Sequence, residues 1–218
     1  ALDAAVNETL TNSQSVQRYF QQREQRELEL IAELVASDRS FVAYVSRAMA
    51  SDSGVDTRSI ADLLNERGAE HGFEFSVLLD PQGRTIVETG GVIPSTRDLS
   101  QREIVVDAVD SLAGASDLWI ENGRVLQVAA VPLVSGRTVQ GFILSGRQVS
   151  ESFIGNIARV SRTELAYVEL TGDAPSVAAT TLGMNDSDAL VGGLKSSAEL
   201  LDRVGNGETV QAAPLQLA

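Results

Sequence analysis

The first 36 residues contain no glycine and no proline, and this stretch constrains the fold more than any other feature of the chain. Its segment "YFQQREQRELELIAELVAS" consists mostly of strong helix formers. One long helix is therefore predicted over residues 1–36, and the rest of the chain has to be arranged around it.

Two interpretations of this helix are open. One set of positions follows the alternating four-and-three steps of a coiled coil, with a polar middle: Leu2, Val6, Thr9, Ser13, Val16, Phe20, Arg23, Glu27, Leu30 and Leu34. Apolar periodicity is strongest near the end of the helix, at Leu28, Ile31, Leu34 and Val35. Either the helix is amphipathic and packs on its own domain, or its N-terminal half protrudes and forms a parallel homodimer with a second copy.

Two shorter helices are predicted next. Asp38 is placed to cap a helix over residues 40–50. Thr57 is placed to cap a third helix, which ends near Gly68 or Gly72.

After these helices the hydrophobic period changes to that of strands. "FSVLLD" and "TIVETG" flank "PQGR", where Pro81 and Gly83 suit turn positions and Asp80 is interpreted as a turn residue that bonds the backbone. Ser100 is predicted to cap the helix that follows. "NG" then joins "SDLWIE" to "RVLQVAAVPLV", and "TVQGFILSGRQV" adds a last strand, so these three are predicted to be antiparallel.

The last third of the chain repeats this order weakly. A helix is predicted over residues 150–160, followed by two strands in "TELAYVELTGDAPSVAATTL" and a further helix. Asp186 and Asp188 lack the spacing of a calcium loop and are interpreted as helix caps. The tail "GNGETVQAAPLQLA" has the composition to begin one more strand, so either this second copy is degenerate or the sequence ends inside it.

Composition removes several classes of function. The net charge of −13, from 17 basic against 30 acidic residues, disfavours a nucleic-acid partner. The chain has no cysteine and one histidine, His71, which stands at a helix end and is interpreted as a solvated residue. These residues cannot make a closed zinc site, and no phosphate-binding loop is present. We therefore expect no catalytic residue, no metal and no cofactor.

The N-terminal residues "ALDAAVNETL" lack a signal peptide's basic region, and no apolar run approaches the roughly 18 residues of a membrane span. We expect the chain to be a piece of a longer protein.

Two segments carry a resemblance to a known family: the hairpin Phe75–Thr89, and the element Leu126–Gly146 with Pro132 and Gly141. In this order, behind a long helix, they resemble extracytoplasmic Cache sensor domains, above all the double-Cache type. The resemblance implies an α/β (α+β) fold, in which a PAS-like module with an antiparallel five-stranded sheet precedes a smaller, incomplete PAS-like module.

The resemblance also implies a domain order and a role. Residues 1–50 would form a helical stalk, 51–150 a membrane-distal sensor module and 151–218 a membrane-proximal module. Such domains are periplasmic or extracellular parts of inner-membrane receptors that bind a small-molecule ligand and feed histidine kinases, diguanylate or nucleotide cyclases, or chemoreceptors. The family's amino-acid-binding series of tyrosine, arginine, tryptophan and tyrosine is absent, which leaves the ligand class open.

A pocket in such a fold would lie between the sheet and the segment "GGVIPSTRDLSQREIVVDAVD" that crosses it. Arg97 and Arg102 are predicted to pair with a carboxylate or phosphate of the ligand. Trp119 and Phe142 would provide apolar walls and Gln127 a polar contact. The alternative is that the aromatic residues belong to the core and the arginines are paired surface charges.

Two other functions compete with sensing. A structural dimerisation module would use the long helix as its functional surface and fill its pocket with its own side chains. A cytoplasmic PAS domain that binds haem or flavin is disfavoured, because the domain offers no axial histidine.

Overall fold

The computed structural model describes residues 2–49, 55–92, 98–171 and 174–196. The chain divides into two compact units. We call Phe20–Glu121 with Leu126–Gln148 the sheet unit, and Ala1–Tyr19 with Asn122–Val125 and Val149–Ala218 the hairpin unit. None of the helices in the described ranges is long and apolar enough to cross a membrane.

Three helices come first: α1 (Leu2–Ser37), α2 (Arg39–Met49) and α3 (Thr57–His71). The predicted cap of α2 is confirmed, because the carboxylate of Asp38 accepts a hydrogen bond from the Ser40 amide at 2.8 Å. The cap of α3 is Asp56, which accepts from the Ser59 amide at 3.1 Å. The prediction of Thr57 was therefore wrong by one residue.

Within the sheet unit, α1 is amphipathic. Leu28 and Val35 of the predicted apolar set are buried against the domain, Ile31 packs there partly buried, and Ala32 is buried beside them. Leu34, from the same predicted set, is 62% exposed and Leu30 is 48% exposed. This half of α1 thus packs on its own domain and still leaves two leucines of the predicted coiled-coil seam open to solvent.

The sheet has five strands, in the spatial order β2-β1-β5-β4-β3. These are β1 (Phe75–Leu79), β2 (Thr85–Thr89), β3 (Ala115–Glu121), β4 (Arg124–Ser135) and β5 (Thr138–Gln148). The registers of β1 with β2, β1 with β5, and β4 with β5 are all antiparallel. Asn122 and Gly123 both have positive φ, 53° and 70°, as the tight turn between β3 and β4 requires. The predicted fold class is confirmed.

The turn between β1 and β2 is held by Asp80. Its carboxylate accepts hydrogen bonds from the amides of Gln82 and Arg84, both at 2.9 Å, and from the Arg84 Nε at 2.7 Å. Gly83 takes the positive φ of 79° in this turn. The interpretation of Asp80 as a turn residue is confirmed.

Two apolar clusters lie on opposite faces of the sheet. The face under α1, α2 and α3 is called the α1 face, and its buried strand residues are Leu78, Ala129, Val131, Leu133 and Ile143. The other face is covered by α4 (Glu103–Ser111) and is called the α4 face. Its buried strand residues are Phe75, Val77, Leu79, Trp119, Leu126, Val128, Ala130, Phe142 and Leu144.

The hairpin unit contains α5 (Glu151–Ser161), β6 (Ala166–Thr171), β7 (Ala174–Thr180) and α6 (Met184–Ser196). β6 and β7 pair in an antiparallel two-stranded sheet. Asp186 and Asp188 lie inside α6, at its third and fifth residues, so the prediction that they cap it was wrong. The helix begins earlier, where the Ser187 amide donates to the Gly183 carbonyl. The predicted strand in the tail lies outside the described residues.

Candidate functional site

Two of the predicted site residues, Trp119 and Phe142, are buried on the α4 face. α4 covers this face with three buried side chains, Ile104, Val105 and Ala108. Val92 and Leu99 are buried in the same cluster. A ligand bound here would meet an apolar wall and would find polar groups only at its margin.

α4 is preceded by a turn that the sequence did not reveal. The Arg102 amide donates to the Leu99 carbonyl at 2.9 Å, and Arg102 stands at the cap position without a capping side-chain bond. Ser100 therefore does not cap α4, and that prediction was wrong. Its amide instead donates to the Asp98 carboxylate at 2.9 Å, and the hydrogen bonds from Ser100 lower the pKa of Asp98.

Arg102 and Trp119 form the polar margin of the α4 face. The guanidinium carbon of Arg102 lies 4.8 Å from the centroid of the Trp119 ring, a cation–π contact. The same guanidinium forms an ion pair with Glu121. The Trp119 Nε1 donates to the Asp117 carboxylate at 3.1 Å. Because Glu121 balances the charge of Arg102, an anionic ligand would have to displace that carboxylate to pair with Arg102.

A small cavity of 170 Å³ lies between α4 and β3, and three carboxylates line it. Its lining residues are Glu103, Ile104, Asp107, Ala115, Ser116 and Asp117. The usual small-molecule site has roughly 300–1,000 Å³, so this cavity is below that range. Across the described ranges, no group of three or more His, Cys, Asp or Glu side chains is arranged to hold a metal ion.

The remaining predicted site residues are separated by the sheet. Phe142 is buried in the same cluster as Trp119. Gln127 is also buried, but its partner is Arg147, whose Nε donates to the Gln127 side-chain oxygen at 3.1 Å. Alternation along β4 between Leu126 and Val128 places Gln127 on the α1 face. Arg97 lies outside the described residues.

The structure thus brings Arg102 and Trp119 into contact, places Phe142 in the same apolar cluster as Trp119, and assigns Gln127 to the other face. His71 lies apart from them at the end of α3, where its ring centroid is 6.2 Å from that of Phe73. Whether any of these residues binds a ligand stays a prediction.

Sequence reasoning missed the polar side chains of the α1 face. Ser76, Ser145 and Thr89 are buried there, and Arg147 follows Ser145 by two residues. The available signal was the spacing of Ser145 and Arg147 in "FILSGRQV", because residues two apart on a strand share a face.

Comparisons with known proteins bear on the fold. No family model matches the chain, and no curated protein matches it either. Among solved structures, the fold is similar to the sensor domain of the Vibrio cholerae histidine kinase DctB, with a TM-score of 0.52 and 13% identity over 83% of this chain and 68% of that one. It is also similar to the extracellular domain of a candidate histidine kinase, vpHK1S-Z8, with a TM-score of 0.51 and 16% identity over 93% of this chain and 81% of that one.

The chain therefore shares the fold of these two domains. The recognition made from the two sequence segments is confirmed at the level of the fold. At these identities the similarity transfers no ligand and no binding residue to this chain.

Proposed function

We propose that this chain is the extracytoplasmic ligand-sensing domain of a transmembrane signalling receptor and catalyses no reaction itself. The observation that carries the proposal is the fold, which over most of the chain is similar to the extracellular domain of one candidate histidine kinase and to the sensor domain of another histidine kinase. The apolar α4 face with its polar margin supports it, because small-molecule sites are mostly apolar with a few placed polar groups. The output domain would be a kinase, a cyclase or a chemoreceptor module.

The proposed ligand site is the margin of the α4 face around Arg102 and Trp119. Arg97, Phe142 and Gln127 keep their predicted roles as a second cation, an apolar wall and a polar contact. Of these, Gln127 lies on the opposite face of the sheet and Phe142 is fully buried, so the proposal rests mainly on Arg102 and Trp119. The predicted division into a stalk of residues 1–50, a distal module of 51–150 and a proximal module of 151–218 is retained as part of the proposal.

Signalling would work as a shift between two packing states. A ligand can bias two states only by the difference in its affinity for them. In this proposal the ligand binds better to one arrangement of the α4 face, and α1 relays the change toward the inner membrane.

A thermal-shift screen of amino acids, dicarboxylates, sugars and amines tests the proposal. Mass action predicts about 2.7 kcal/mol of added stability at a ligand concentration of 100 Kd, which raises the Tm by several degrees. For any compound that raises the Tm, Arg102→Met is expected to reduce the shift. Arg84→Met, which removes an arginine from the β1–β2 turn, serves as the control. A screen in which no compound raises the Tm contradicts the proposal.

A second candidate function is dimerisation through α1, which the exposed Leu30 and Leu34 favour. The long N-terminal helix α1 would then pair in a parallel homodimer along the coiled-coil seam that includes Leu30 and Leu34. Sedimentation should show a dimer that dissociates in Leu30→Glu/Leu34→Glu. Val160→Glu, at an exposed valine of α5, should leave the dimer intact. If the unmodified chain sediments as a monomer, dimerisation through α1 is excluded.

A further inference from the structure

A row of buried polar side chains crosses the α1 face at one end of the apolar cluster. Thr89, Ser76 and Ser145 stand on β2, β1 and β5 and are paired in register from strand to strand. Gln127 on β4 is paired in register with Arg147 on β5. The row therefore reaches across four neighbouring strands.

Each described member of the row has a hydrogen-bond partner. The Ser76 amide donates to the Thr89 hydroxyl at 3.2 Å, and that hydroxyl donates to the Ser76 carbonyl at 3.1 Å. The hydroxyls of Ser76 and Ser145 are 2.9 Å apart. Arg147 supplies the partner of Gln127. Buried polar groups satisfied in this way favour one arrangement, because any shift leaves one of them unpaired.

Arg147 connects this row to α1. Its Nη2 donates to the Glu24 carboxylate at 3.3 Å and lies 3.9 Å from the Glu27 carboxylate. The side chains of Arg147 and Glu24 are about three-quarters buried, at 26% and 27% exposure. A charge-assisted contact of this kind is stronger and more directional than a neutral one.

The contact between Arg147 and Glu24, which we call the clamp, lies where the apolar contacts of α1 end. Leu28 is the first fully buried residue of α1 in the sheet unit, and residues 20–27 are half-buried or exposed. Glu24 precedes Leu28 by four residues, so both lie on the same side of the helix. From Leu28 onward burial of apolar surface holds α1, whereas at Glu24 the polar contact with Arg147 takes over.

We propose that Arg147 is a positioning residue that clamps α1 to the sheet and fixes where the helix leaves it. In a receptor of the proposed kind, this clamp would set how tightly a rearrangement of β4 and β5 is coupled to α1. Only that consequence rests on the proposed function. The clamp itself is a property of the ligand-free chain and is tested without a ligand.

Amide hydrogen exchange along α1 tests the clamp. In Arg147→Met, which keeps an aliphatic stem and removes the charge, the amides of residues 20–27 are expected to exchange about tenfold faster. Those of residues 28–36 and of β1 should change little. Arg26→Met is the matched control, because Arg26 pairs with Glu29 on the surface of the same helix. No acceleration in Arg147→Met, or an equal one in Arg26→Met, overturns the proposal.

A charge swap separates clamping from general destabilisation. Glu24→Arg alone should accelerate exchange over residues 20–27, and adding Arg147→Glu should restore it to within about threefold of the parent chain. The new carboxylate at position 147 could accept from the Gln127 amide group and from the new guanidinium at position 24, so the pair is rebuilt with reversed signs. A double variant that exchanges as fast as Glu24→Arg contradicts the proposal. Should Arg147→Met fail to fold, Glu24→Gln/Glu27→Gln tests the clamp from the helix side.

Discussion

The α1 face and the α4 face are made by the same five strands, yet their polar side chains are distributed unequally. The α4 face is apolar across the described strands, and its polar groups lie at the margin around Trp119. The α1 face combines an apolar cluster with the buried row of Thr89, Ser76, Ser145 and Gln127. Different kinds of interaction therefore stabilise the two faces. Apolar packing dominates the face predicted to bind ligand, whereas the face that contacts α1 also has buried hydrogen bonds.

Phe142→Ala should have the largest effect, because it tests whether the α4 face is core or pocket. A fully packed phenylalanine predicts a loss of about 3–5 kcal/mol in the free energy of unfolding, measured with urea. Ile143→Val, one residue away on the α1 face, should cost about 0.5–1.5 kcal/mol. A loss below about 1.5 kcal/mol for Phe142→Ala would mean that its ring borders open space, and the description of this face as packed would fail.

Ser145→Ala should have the next largest effect. The substitution leaves the buried Ser76 hydroxyl without its partner on β5, at a cost of about 1–3 kcal/mol. Ser76→Ala/Ser145→Ala removes both hydroxyls and should cost less than the sum of the two single variants. Additive costs in this urea-unfolding cycle would show that the two hydroxyls do not act together.

Arg102→Met is expected to cost about 1 kcal/mol, since it removes a part-exposed ion pair and a cation–π contact. The emission of Trp119, the only tryptophan of the chain, should change at the same time. Arg137→Met, at an exposed arginine in the turn between β4 and β5, should leave the emission unchanged. If the emission is unchanged in Arg102→Met, the guanidinium of Arg102 does not contact the Trp119 ring in the parent chain.

The smallest effect concerns acid stability of the β1–β2 turn. Burial alone raises the pKa of Asp80, but hydrogen bonds from Arg84 and Gln82 outweigh it and the pKa is lowered. A lowered folded-state pKa contributes stability above the unfolded value of about 3.9, and that stability is lost as the pH falls through the folded-state pKa.

Asp80→Asn should therefore reduce stability at pH 7 by about 1 kcal/mol or less and flatten the loss of stability below about pH 4. Urea unfolding between about pH 2.5 and 7 measures both the loss of stability at pH 7 and its change with pH. Asp110→Asn, at an exposed aspartate of α4, is the control. A parallel shift of the whole curve for Asp80→Asn would assign the effect to turn geometry and not to titration.

Much of the fold could be predicted because its signals are local. Helix formers without Gly or Pro gave α1, and "PQGR" and "NG" gave two hairpins. The predicted caps of α3 and α4 were wrong by one and two residues. Asp56 caps α3 in place of Thr57, and a turn separates Ser100 from α4. Neighbouring polar residues offer the same capping chemistry, and only the backbone path decides between them.

The site was less predictable, because it depends on which face each strand residue occupies. Gln127 was grouped with Trp119, although the pairing of β4 with β5 places it opposite Arg147. Arg102 was predicted to pair either with a ligand or with a protein carboxylate, and its partner Glu121 lies 19 positions away. Contacts between distant segments are set by the assembled sheet and have no local signal in the sequence.

In the proposed function, a small ligand binds at the margin of the α4 face. This claim is best tested by titrating any compound that raises the Tm and following the emission of Trp119. We expect a saturable change in emission with the same Kd as the thermal shift, weakened in Arg102→Met. A compound that stabilises the chain and leaves the emission of Trp119 unchanged in the parent would contradict the claim, because its binding site would then lie elsewhere.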